Sequence, residues 1–86
     1  MKTFYQCDFI GIKCYRQNGN IWEHREYYKT RNEETGYSPW TECLTFKGMK
    51  PKQVIKQLEL DKDLHEVPFF ENWKEAKKYY ESVCPY

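Results

Sequence analysis

The stretch Thr3-Phe4-Tyr5-Gln6-Cys7-Asp8-Phe9-Ile10-Gly11-Ile12-Lys13-Cys14-Tyr15-Arg16 runs into Gln17-Asn18-Gly19-Asn20, and how this segment pairs decides the fold. It is rich in β-branched and aromatic residues. The Asn18-Gly19 pair has the composition of a two-residue hairpin turn, whose central positions need positive φ. The reading is one strand from Thr3 to Arg16, a turn at Asn18-Gly19 and a returning strand from Ile21 to Thr30. A turn centred there pairs Gln17 with Asn20, Tyr15 with Trp22, Lys13 with His24, Gly11 with Glu26 and Phe9 with Tyr28, and these side chains share a face. The other face carries Ile10, Ile12 and Cys14 against Ile21, Glu23, Arg25 and Tyr27. The strand-one aliphatics make that second face the expected core. Tyr15, Trp22, His24, Glu26 and Tyr28, with Lys13, form the expected open face. A three-residue loop would reshuffle these sets, because a one-residue slip turns every side chain of a strand over.

Outward from the hairpin, Asn32-Glu33-Glu34-Thr35-Gly36 reads as a loop. Residues 40–46 alternate Trp40, Glu42, Leu44 and Phe46 against Thr41, Cys43 and Thr45, the period of a third strand. Pro51 suits the first position of a helix, and Val54, Ile55 and Leu58 share one face of it through about Leu60. Leu64 to Phe70 reads as a short edge strand or an extended linker, since Pro68 excludes a central strand. Asn72 with Glu75 three residues on has capping-box spacing. Trp73, Ala76, Tyr80 and Val83 then form one stripe of a second helix that Pro85 ends. The expected architecture is a single α+β domain over residues 1–86. It has an antiparallel sheet of three strands, with a fourth left open, and two C-terminal helices packed on one face of the sheet.

Eighty-six residues make one small domain, which buries only about 60% of the surface its unfolded chain exposes. Three Trp, eight Tyr and five Phe are too many large rings for a disordered chain. In so thin a core, some rings are expected outside, as contact surface or as tyrosines with their hydroxyls in water. Fourteen Lys plus Arg against thirteen Asp plus Glu give a net charge of +1, which excludes a polybasic nucleic-acid coat. The first eight residues turn polar before a signal-length apolar run develops, and no run approaches the ~18 apolar residues of a membrane span. The expectation is a cytosolic protein with no membrane partner. Its four cysteines, Cys7, Cys14, Cys43 and Cys84, are then expected as free thiols rather than a disulfide framework.

The candidate partner-binding residues are Tyr15, Trp22, His24, Arg25 and Tyr28, and the expected role is a non-catalytic module that docks a protein through an aromatic sheet face. In size and style this is analogous to the small inhibitors and adaptors that phages and mobile elements encode. The alternative is nucleic-acid or nucleotide binding, with Tyr15, Trp22 and Tyr28 stacking on bases and Lys47, Lys50 and Lys52 holding phosphate at the start of the first helix. Arg16, Arg25 and Arg31 are interleaved with Glu23, Glu26, Glu33 and Glu34, which cancels much of the attraction for phosphate. A homo-oligomer that seals the open face fits the same features. Cys7, Cys14, His24, Cys43, His65 and Cys84 lack the close pairs of a zinc site, so no metal or other cofactor is expected. No nucleophile elbow, P-loop or His-Glu-x-x-His motif points to catalysis, and the chain is not expected to be an enzyme.

Overall fold

The computed structural model describes residues 2–28 and 36–83. In chain order the elements are β1 (Thr3–Cys7), β2 (Ile12–Asn18), β3 (Ile21–Tyr27), β4 (Thr41–Glu42), α1 (Pro51–His65), β5 (Phe69–Phe70) and α2 (Trp73–Val83). The strands form an antiparallel sheet in the order β4-β3-β2-β1-β5. The α+β class of the sequence reading holds, with two helices among the described residues and five strands where three or four were expected.

The long first strand is two strands. Asp8 breaks it: its Oδ1 accepts the backbone N–H groups of Ile10 and Gly11, both at 2.9 Å, and its own N–H donates to the Gly11 carbonyl at 3.0 Å. This is the local side-chain bonding by which Asp makes a turn. The chain folds back so that Cys7 faces Ile12 and Phe4 faces Tyr15. At Gly11 the backbone passes so close to β3 that a Cβ there would overlap the Tyr27 carbonyl oxygen, which only glycine permits.

The second turn sits one residue later than Asn18-Gly19. Asn18 pairs with Ile21 and Tyr15 with His24, which leaves Gly19-Asn20 as the loop. Gly19 has φ of 65° and Asn20 is not in the left-handed region, the pattern of a turn with glycine at its first central position. Moving the turn by one residue changes each pairing by two, so Lys13, Tyr15, Trp22, His24 and Glu26 still share a face, as the sequence reading had them.

Which face is open is corrected. The helices lie on opposite faces of the sheet, not on one. Val54 and Leu58 of α1, with Cys43 and Phe46 from the preceding turn, bury Phe4, Tyr15 and Trp22. Ala76 and Tyr80 of α2 bury Cys7, Ile12 and Tyr27 on the other side, with Tyr5, Tyr37, Phe70 and Trp73 packed around them. Large apolar side chains point to both faces of the sheet, Phe4, Tyr15 and Trp22 to one and Tyr5, Ile12 and Tyr27 to the other, so each face needed its own cover.

The expected third strand over residues 40–46 shortens to Thr41–Glu42, paired with His24 and Glu23. From Cys43 the chain turns, and Cys43 and Phe46 enter the core three residues apart while Leu44 stays exposed. α1 runs on to His65, past the expected end near Leu60, and stops at Glu66, whose φ of 54° and N–H to the Lys62 carbonyl close the helix. The edge-strand reading of residues 64–70 is met by Phe69–Phe70 against β1, with Pro68 just outside and its carbonyl accepting from the Cys7 N–H. Asn72 caps α2, its Oδ1 accepting from the N–H groups of Lys74 at 2.8 Å and Glu75 at 3.3 Å. The expected loop at 32–35, the end of the second expected strand at Lys29 and Thr30, Arg31, Cys84 and Pro85 lie outside the described residues. Among the described residues no helix is long and apolar enough to cross a membrane.

Candidate functional site

The five partner-binding candidates do not form one surface. Trp22 is 1% exposed and Tyr15 6% exposed. The Trp22 ring packs on Phe4 and Phe46, and its indole N–H donates to the Met49 carbonyl at 2.8 Å. Tyr15 packs on Phe46 and reaches Gln6, and burial pushes its phenol well above the usual range. His24 is half-buried beside Tyr15 and Thr41. Tyr28 is half-buried past the end of β3, where it lines a small cavity with Lys13 and Glu26, themselves ion-paired at 3.5 Å. Lys47, Lys50 and Lys52 are exposed around the start of α1, where the sequence reading placed them.

Arg25 belongs to the opposite face, in a stack that absorbs much of the aromatic excess. Its guanidinium lies 4.0 Å from the Tyr37 ring centre and 5.1 Å from that of Trp40, while Arg16 sits 3.9 Å over the other part of the stack, Trp40. Tyr37 continues the stack to Trp73 at 5.3 Å, and Arg16 is held by Glu23 at 2.7 Å. Among the described residues Arg25 Nε has no hydrogen-bond partner, and the guanidinium lies against ring faces, each contributing on the order of 1 kcal/mol. This ladder covers the part of the sheet that α2 leaves free. Beneath it Cys14 is a buried thiol whose pKa burial pushes up to about 11, so it stays protonated and unreactive near neutrality. Cys43 is also a buried free thiol, and the buried Cys7 thiol donates to the Ala76 carbonyl at 3.5 Å.

The most exposed large apolar side chain among the described residues stands at the β1–β2 turn. Phe9 is 95% exposed and Ile10 64% exposed, and both stand at the tip that the Asp8 carboxylate ties together. The turn is anchored from below by Tyr80, whose hydroxyl donates to the Ile10 carbonyl at 3.0 Å. Beside the tip runs a groove of about 280 Å³, lined on its apolar side by Phe9, Val67, Pro68, Tyr79 and Val83. Asp8, His65 and Glu66 stand at its polar margin. Two large apolar side chains at a turn tip contribute nothing to the core, yet the turn beneath them is well tied. Such an arrangement can insert into an apolar pocket with little loss of conformational entropy.

The sequence reading missed this tip because it counted Phe9 and Ile10 as strand residues. The signal was present as Asp8 and Gly11 flanking a two-residue tip. It was outweighed by the β-rich composition on both sides. Compared with known proteins, the chain matches no family model, no curated protein and no solved structure, so the meaning of this surface rests on its own geometry.

Proposed function

We propose that the chain is a non-catalytic protein-binding module that docks through the Phe9–Ile10 tip and the groove beside it. The observation that supports this reading is a phenylalanine left 95% exposed on a turn that three hydrogen bonds and a buried tyrosine hold in place. Burying that ring in a partner is worth about 1.5–3 kcal/mol, the size of an interface hot spot. Asp8 and Glu66 give the margin a negative charge, so the fitting partner is a protein with an apolar pocket bordered by Lys or Arg. The stacking reading loses its support, since Tyr15 and Trp22 are core residues.

The test compares the wild-type protein with Phe9→Asp in capture from cell lysate, with nuclease present and at low and high salt. A protein partner held in stoichiometric amount by the wild type is expected to survive both treatments, because the contact is chiefly apolar. Phe9→Asp is expected to lose it, by about 2 kcal/mol or more of binding, while melting at the wild-type temperature. Capture that is equal for both proteins, or that disappears with nuclease, would overturn the proposal.

A further inference from the structure

The outer line of α1 carries Lys52, Lys56, Glu59 and Asp63, all exposed, two cations followed by two anions. Spacings of four, three and four put them on one stripe opposite the buried Val54 and Leu58. Within the helix this order is unfavourable at two of its three spacings, only Lys56 and Glu59 being opposite charges. Lys52 and Lys56 are like charges one turn apart, and so are Glu59 and Asp63. Lys52 lies in a first turn that holds no acid, and Asp63 lies toward the other end, so both oppose the helix dipole, although Lys62 and His65 in the last turn run with it. Among the described residues none of the four makes an ion pair. Along one shoulder of the stripe Leu60 and Leu64, a turn apart, are 50% and 66% exposed.

We propose that this face pairs with the same face of a second copy of the chain, α1 against α1 in antiparallel order about a two-fold axis. A helix that reads plus, plus, minus, minus is complementary to itself when reversed. The axis passes between positions 57 and 58, so Lys52 of one copy meets Asp63 of the other and Lys56 meets Glu59, each contact occurring twice. That reciprocity is what a two-fold interface requires. Parallel pairing would set like charge against like, so the charge order selects the direction as well as the partner. Leu60 and Leu64 supply apolar area on the shoulder. A contact between two helices of 15 residues lies at the small end of specific interfaces, which makes the dimer weak and sensitive to salt. The surface is separate from the Phe9 tip, and neither proposal depends on the other.

Sedimentation equilibrium on the full chain tests this with two double variants, Lys52→Glu with Lys56→Glu and Glu59→Lys with Asp63→Lys, and with the variant carrying all four changes. The wild type is expected to dimerise in about 0.02 M salt and to weaken about tenfold or more in about 0.5 M salt. Each double variant alone is expected to associate at least about tenfold more weakly, since its stripe now bears a single sign of charge. Mixed in equal amounts, the two should form a one-to-one heterodimer, and the fourfold variant, with its stripe reversed, should dimerise again. A wild type that stays monomeric in low salt overturns the proposal, and so does a mixture that forms no heterodimer or a double variant that dimerises like the wild type. If far-UV circular dichroism shows a double variant to be unfolded, the fourfold variant decides, a dimer supporting the proposal and a monomer overturning it.

Discussion

Trp22→Ala is expected to destabilise the fold by about 3–5 kcal/mol, the usual cost of emptying a large aromatic site in a core. The indole is 1% exposed and fills the space between the sheet and the segment leading into α1, against Phe4 and Phe46. Truncation also leaves the Met49 carbonyl without its donor, at the point where the chain enters α1. A domain of this length has a total stability of roughly 4–13 kcal/mol, so the variant would keep only part of it or unfold outright. Urea unfolding followed by far-UV circular dichroism reads the effect as a lower midpoint. An unchanged midpoint would mean that Trp22 stands on the surface, as the sequence alone suggested, and would restore the aromatic sheet face as a binding site.

Gly11→Ala is expected to cost about 2–3 kcal/mol, although it adds a single methyl group. The added carbon would overlap a backbone oxygen, that of Tyr27, which cannot rotate aside as a side chain can. Relief requires β2 to move away from β3 beside the Ile12 and Tyr27 pair. The same shift pulls on the Gly11 N–H that Asp8 holds, so the turn carrying Phe9 and Ile10 should loosen with the sheet. Thermal unfolding should show a melting temperature lower by roughly 10 °C or more. A variant that melts like the wild type would show that the strands do not approach so closely there.

Most local structure was legible in the sequence, and the layering was not. Asn72 announced α2 and Pro51 announced α1, because caps and prolines act on their own neighbours. Pro68 marked an edge strand for the same reason. The sets of residues sharing a face of the hairpin were also readable, since a turn shifted by one residue preserves them. Deciding which set is covered required knowing where α1 and α2 return, and that depends on contacts between residues far apart in the chain. Tyr15 and Trp22 looked like a display surface because they alternate with Lys13, His24 and Glu26. They are core because Val54 and Leu58 close over that end of the face, while Lys13 and Glu26 pair at the other. Arg25 looked like a contact residue and is instead held in a stack whose rings come from the connection between β3 and β4, Tyr37 from a stretch without pattern and Trp40 from the start of the expected third strand. The exposed tip escaped notice because Phe9 and Ile10 have the composition of strand residues, which outweighed the turn signal of Asp8 and Gly11 on either side.

The account separates the rings that hold the fold from Phe9, the most exposed ring among the described residues, and hydroxyl-radical footprinting of the folded protein, read by mass spectrometry residue by residue, tests that separation most directly. Phe9 is expected to be oxidised rapidly, with Tyr15, Trp22 and Phe46 protected, and all four should react at rates set by their own chemistry once urea unfolds the chain. Tyr15 and Trp22 oxidised as readily in the folded protein as in urea, with Phe9 protected, would contradict the account.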